Sequence, residues 1–323
     1  MKQFQKILAY LESSNPEAVS QVVDLAERHG AALTLCDVIS PPPKTSGAHS
    51  AMRRLNQLSW RAAFENVRSF CTQHKSRANL NYTILAGEPF LAITEQVMLE
   101  GYDLVVHVSD NNHNDAGRGL NPTGMHLARK CPSEVWSLQS GTNRLPNNMV
   151  VAIDRDFTGT NRRTEALIAK LIDTASAVLQ PGGVLNLVHA WQPYGESLLA
   201  DAGTGMNAAE AEAYVRTQEQ EHQDWFNAVV DQINSQKLDL QLRPHLLRGP
   251  VTATINRLAE GIQADLIVLG TVGTSVVPGI LIGMRAEALL SSSGIPVLAV
   301  KPADFVTPLQ FSRSSGDAHA AAM

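Results

Sequence analysis

Ala264-Asp265-Leu266-Ile267-Val268-Leu269-Gly270-Thr271-Val272-Gly273 opens on an acid, runs through branched apolar residues and closes on two glycines. That order reads as a strand buried on both faces that leaves the sheet through a loop. Gly249 stands 16 residues before Asp265, and Gly87 stands 16 residues before Asp103, where Asp103-Leu104-Val105-Val106 repeats the phrase. Ser293-Gly294-Ile295-Pro296-Val297-Leu298 is answered by Lys130-Cys131-Pro132-Ser133-Glu134-Val135-Trp136, and Asn148 to Asp154 by Lys6 to Glu12. The period is about half the chain, so the sequence is a duplicated domain and not a solenoid.

Within each half, short apolar runs alternate with longer amphipathic stretches, the pattern of an α/β fold with a parallel sheet covered on both faces. Strands are expected near 5–11, 31–38, 80–85, 103–108 and 134–138, and again near 148–153, 184–190, 239–246, 265–269 and 297–301. Helices are expected near 16–29, 50–74, 89–100 and 122–130, then near 161–178, 207–234, 251–262 and 284–292. Asn15 reads as the N-cap of the first helix, with Pro16 in its first position and Glu17 near the positive end of the dipole. The expected organisation is a first domain over 1–139, a linker over 140–147, a second domain over 148–305 and a tail over 306–323.

The 323 residues are 44% apolar and 18% charged, an ordinary globular balance that excludes disordered and collagenous chains. A net charge of −5 gives no electrostatic footprint for nucleic acid. Cys36, Cys71 and Cys131 are widely spaced and form no CxxC pair, which points to a reducing cytoplasm. Leu266 to Met284 is uncharged, but its four glycines and Pro278 make it strand, loop and helix start, so no membrane span is expected.

Gly270-Thr271-Val272-Gly273, followed by Gly283-Met284-Arg285 at the start of a helix, is where chemistry is most legible. Such a loop aims backbone N–H groups outward, where the helix dipole favours an anion, and glycine lets a phosphate approach closely. Asp154 ends the first strand of the same half and would share its crevice; read alone, it could equally cap the next helix. The sequence resembles the universal stress protein family, whose nucleotide-binding members carry G-x2-G-x9-G-[S/T] after the fourth strand and an aspartate at the end of the first. The resemblance covers both halves and is nearest to the tandem two-domain type, on these glycines and on Pro122 to Ser133.

The resemblance implies two five-stranded Rossmann-like sheets of order 3-2-1-4-5. Their fifth strands, Val135 to Leu138 and Val297 to Val300, would pair inside one chain as a pseudodimer, with a further homodimer left open. It implies ATP, ADP or AMP as ligand, without a metal. Ala152, Ile153 and Asp154 would lie beside adenine and ribose, and Ala190 would meet adenine through its backbone. Gly270, Val272, Gly273 and Gly283 would cradle the phosphates, with Leu269 and Arg285 flanking them. Met284 stands where the family has Ser or Thr, and its thioether cannot donate a hydrogen bond to a terminal phosphate.

In the first half, aligning Asp103 with Asp265 puts Val108 and Asn111 in place of Gly270 and Gly273, and aligning Pro132 with Pro296 puts Gly119 opposite Gly283. Glu12 replaces the aspartate, and Asp110 would repel phosphate. The first half is therefore expected to be structural or to bind something else. His107, His113, His126 and Cys131 lack the paired spacing of zinc ligands, and Trp60 and Trp225 are expected to pack on the sheet. No catalytic residues are assigned, since GxxxxGK, GxSxG and HExxH are all absent. The expected function is a non-enzymatic stress factor that binds an adenine nucleotide or another small phosphate ligand and works through protein partners. A slow ATPase or phosphotransfer enzyme using the same loop is the rival, and a ligand-free or lipid-binding scaffold the third reading.

Overall fold

The apolar runs of the sequence become the strands of one sheet, because residues of that kind lose least by being covered on both faces. The computed structural model describes residues 3–13, 15–41, 49–109, 119–139, 144–155, 161–198, 205–271 and 282–311. The first half contains β1 (Lys6–Leu11), α1 (Pro16–His29), β2 (Ala32–Ile39), α2 (His49–His74), β3 (Asn79–Ala86), α3 (Pro89–Glu100), β4 (Leu104–Ser109), α4 (Pro122–Lys130) and β5 (Glu134–Gln139). The second contains β6 (Asn148–Ala152), α5 (Asn161–Val178), β7 (Val184–Trp191), α6 (Ala208–Ser235), β8 (Gln241–Arg248), α7 (Val251–Gly261), β9 (Leu266–Gly270), α8 (Met284–Ser292) and β10 (Val297–Val300).

The ten strands run in the order β3-β2-β1-β4-β5-β10-β9-β6-β7-β8, so each half has the order 3-2-1-4-5. All neighbours within a half are parallel, and β5 meets β10 antiparallel, with Leu298 opposite Trp136. Trp136 is fully buried at this seam. One face of the sheet carries α1, α2, α5 and α6 and the other carries α3, α4, α7 and α8. The start of α1 is as the sequence reads: the Asn15 side chain accepts from the backbone N–H of Glu17 and Ala18, both at 3.1 Å.

Side chains and loops also lock the halves together. Arg28 and His29, at the end of α1, donate to the last carbonyls of α5, Ala177 and Leu179, which α5 cannot satisfy itself. Arg129 of α4 pairs with Glu287 of α8. Glu134 of β5 is buried and takes Lys170 of α5 at 3.2 Å. Lys301 is fully buried, donates to Ala128 O at 2.5 Å, and is pushed down to about 8 by burial.

Gly119 belongs to this seam. Its N–H donates to Ser293 O at 2.9 Å and that of Leu120 to Leu290 O at 2.8 Å, laying the segment on the end of α8. That corrects the expected pairing of Gly119 with Gly283. Leu104 faces Glu134 across β4–β5, and Ile267 faces Val297 across β9–β10, so Glu134 and not Pro132 is the counterpart of Pro296. The same spacing makes Asn121, the N-cap of α4, the counterpart of Gly283, the N-cap of α8.

Two further expectations shift. The strand expected over 239–246 forms as β8 two residues later and holds Pro244, which an edge strand tolerates because it pairs on one side only. Trp225 packs against the core as expected, whereas Trp60 lies on the exposed part of α2. Cys36, Cys71 and Cys131 are buried free thiols. Among the described residues no helix is long and apolar enough to cross a membrane.

Candidate functional site

The carboxyl ends of β6, β7 and β9 bring Ala152, Ile153, Asp154, Ala190, Leu269 and Gly270 to one end of the second half's sheet. Ala152 pairs with Val188 on one side and Leu269 on the other, and Ile153 N–H donates to Val188 O at 3.0 Å. Ile153, Ala190 and Leu269 are buried, so ordered apolar backbone forms the floor. At Gly270 a Cβ would come 3.0 Å from Leu167 Cδ2, a tight approach that a shift of a few tenths of an ångström in that leucine end would relieve. Gly283 N–H donates to Thr271 O at 2.8 Å, which closes the neck of the loop between them. Val272 and Gly273 lie inside that loop and outside the described residues.

α8 begins at Gly283 with no side-chain cap, so the amides of its first turn receive no oxygen from a capping residue. Arg285, in that turn, donates from Nη1 to Asp154 Oδ2 at 2.6 Å, and both side chains are more than half exposed. Desolvation at the strand end raises the Asp154 carboxyl above its usual range, and Arg285 pulls the other way. Met284, at the helix start, is 89% exposed. Among the described residues, a helix N-terminus without a side-chain cap, an exposed arginine and an aspartate therefore meet at one end of the sheet, an arrangement suited to a phosphorylated ligand with hydroxyl groups.

The equivalent place in the first half is built from different groups. Asn121 caps α4 by accepting from Gly124 N–H at 2.8 Å, and its amide donates to Glu12 Oε2 at 2.5 Å. His107 Nε2 lies 2.7 Å from the same oxygen, and Thr123 Oγ1 donates to Glu12 Oε1 at 3.4 Å. Tyr10 stacks on His107 with ring centroids 5.4 Å apart. Burial works against the Glu12 carboxylate, but the hydrogen bonds from His107, Asn121 and Thr123 hold it below its usual range. Thus both halves place a carboxylate at this strand end, Glu12 held by His107, Asn121 and Thr123 and Asp154 by Arg285, and what differs is the helix start, capped by Asn121 in α4 and without a side-chain cap in α8. Val108 is buried in β4, while Asp110 and Asn111 lie outside the described residues. Among the described residues, no group of three or more histidine, cysteine or acidic side chains could share a metal ion.

Behind the second-half floor lies a pair that the sequence reading passed over. His189 Nε2 is 2.8 Å from His222 Nδ1, and His189 Nδ1 is 3.3 Å from Ile153 O. Trp191 stacks on His222 at 4.7 Å and Trp225 meets His189 edge-on at 4.8 Å. The signal was the spacing of His222, Trp225, Phe226, Val229 and Ile233, one helical stripe that includes a histidine. Burial pushes both imidazoles down to about 4. An unfolded imidazole titrates near 6.5, so between about 6.5 and 4 the unfolded chain binds more protons and stability falls as pH falls. The loss should reach about 3 kcal/mol for one buried imidazole by the bottom of that window. Urea unfolding at pH 7.0, 5.5 and 4.5 should show it, and His222→Gln, which keeps a partner for His189 without titrating, should flatten the slope. An unchanged slope would place the acid sensitivity elsewhere.

Comparison with known proteins agrees with this architecture. The Universal stress protein family matches residues 3–138 and 147–301. Universal stress protein E of Escherichia coli (strain K12) is 25% identical over 241 residues, covering 71% of this chain and 70% of that protein. The Universal stress protein E homolog of Haemophilus influenzae is 26% identical over 214 residues, covering 65% and 66%. In structure, a universal stress protein from Archaeoglobus fulgidus aligns over 93% of this chain and all of its own, with a TM-score of 0.57 at 14% identity. A protein of Pseudomonas aeruginosa PAO1 aligns over 93% of both chains with a TM-score of 0.54 at 20% identity.

Proposed function

Because this chain belongs to the universal stress protein family, we propose that it is a stress-response factor without a catalytic role that holds one adenine nucleotide in its second half. What supports the reading is the contrast between two equivalent helix starts: α8 has no side-chain cap and offers the cationic Arg285 beside Asp154, whereas α4 is capped by Asn121, whose amide is tied to Glu12. In the proposed complex adenine lies against Ala152, Ile153 and the backbone of Ala190, with Leu269 beneath, and the ribose hydroxyls donate to Asp154. The phosphates meet Gly270, Val272, Gly273, Gly283 and the first-turn amides of α8. Arg285 exchanges Asp154 for phosphate, so binding replaces one charge pair with a closer one. The buried, unpaired thiols support a reducing cytoplasm as its place of work, where it acts through protein partners.

Mass spectrometry of the small molecule released on denaturing the purified chain tests the reading directly, and an adenine nucleotide is the expected result. Met284 refines it. With no hydroxyl for the terminal phosphate, the site should hold AMP and ADP about as well as ATP. A hydrogen bond to a charged group contributes roughly 1.5–3 kcal/mol, so Met284→Ser should raise ATP affinity about ten- to a hundredfold and leave AMP affinity nearly unchanged. Calorimetric titration decides it: a wild-type chain that strongly prefers ATP would refute the role of Met284, and turnover above a Gly273 variant would favour the enzymatic rival.

A further inference from the structure

Two features on one face of the sheet are opposite in charge. Only the C-terminal part of α2 enters the core, through Val67, Phe70 and Cys71. Before that, Ala51, Leu55, Leu58 and Ala62 recur at i, i+4, i+7 and i+11 and form a second apolar stripe, all of it exposed. Leu55 is 64% and Leu58 59% exposed, unusual for leucines on neighbouring turns. The helix around them is basic, with Arg53, Arg54, Arg61 and Arg68 against the single acid Glu65.

In the second half, α5 and α6 leave a groove between them, floored by Ile168, Ile172, Val229 and Ile233 with Trp225 at its side. Thr164 Oγ1 in its wall is buried and has no hydrogen-bond partner among the described residues. The two walls together are acidic: α6 carries six acids, among them Asp224 and Asp231, against the single base Arg216, and α5 carries Glu165, which lines the groove, and Asp173 against Arg162, Arg163 and Lys170, which makes eight acids to four bases. The stripe and the groove lie on the same face of the sheet, α2 over β2 and β3 at one edge and the groove between α5, on β6 and β9, and α6, on β8. About seven strand spacings of about 4.8 Å, or about 34 Å, separate them, so one chain cannot bring them together.

We propose that the N-terminal part of α2 of one copy docks, by its leucine stripe, in the α5–α6 groove of a second copy. The mode is an amphipathic helix laid in a groove. Charge selects the occupant: basic α2 meets acidic α6, while pairing α2 with α2 or α6 with α6 sets like charges together. Each chain carries one helix and one groove, so two copies make the contact twice and close on themselves.

Sedimentation velocity of the full chain over a range of concentrations tests the association. Wild type should dimerise, and more weakly as salt is raised. Leu55→Glu, at an exposed position outside the core, should weaken dimerisation more than tenfold with its thermal midpoint unchanged. Arg54→Glu with Arg61→Glu should do the same, and adding Asp224→Lys with Asp231→Lys should restore it. Placement is tested by cross-linking: a Ser59→Cys chain mixed with a Gln232→Cys chain should be joined by a short bis-maleimide, and neither alone should be. The native thiols are buried and leave the added ones as the reactive pair. A chain that stays monomeric throughout, with the stripe free for another kind of partner, overturns the proposal, as does a dimer indifferent to Leu55→Glu or lacking the mixed cross-link.

Discussion

Gly273→Asp is expected to abolish nucleotide binding, lowering affinity at least about a hundredfold. The added carboxylate fills the path by which a phosphate reaches the loop and opposes its charge, and like charges set together at an interface cost several kcal/mol. The control is the equivalent position of the first half, Asn111→Asp. It should change nothing, because the helix start on that side already faces Glu12 and is capped by Asn121. Titration calorimetry with AMP and ATP on both variants separates the outcomes, and equal losses would mean that the first half carries the site.

The second large effect lies at the seam. A Cβ on Gly119 would sit 2.2 Å from Ser291 O and 2.5 Å from Ser291 C, at a φ of +98° that L side chains rarely adopt. Neither atom can yield, since both are backbone of α8, so Gly119→Ala should cost about 3 kcal/mol or more. For a chain of this size that lowers the thermal midpoint by at least about 4 °C. Gly101→Ala isolates the backbone part of the cost: its φ is +70° with nothing within 4 Å of the added carbon. A loss at Gly119 no greater than at Gly101 would refute the close approach to α8.

Element types were legible because period and burial agree: Leu266 to Leu269 is continuous and apolar since β9 is covered on both faces. The cap at Asn15 was legible because it is local chemistry. The meeting of β5 with β10 was available from family resemblance, as nothing in Val135 to Leu138 specifies its partner. Long-range side-chain geometry was not legible. Asp154 and Arg285 were both placed in the site, yet their ion pair spans 131 positions of sequence. The alignment through Pro132 and Pro296 went astray because proline marks a strand entry without fixing its register, and helix caps would have been the better anchor. The His189–His222 contact was hidden because each histidine occupies a position that, by period, belongs to an apolar residue.

The antiparallel seam of β5 and β10 makes permanent what two separate chains would hold only by mass action. Dilution cannot part strands on one polypeptide, so the ten-stranded sheet persists at any protein concentration. It also frees the two halves from being identical. Two equal subunits would offer two equal sites and the means for one to inform the other, whereas here Asn121 caps one helix start and the other has no side-chain cap. Titration of the proposed site should therefore saturate at one nucleotide per chain along a simple hyperbola, the response of a reporter graded in proportion to its ligand rather than of a switch.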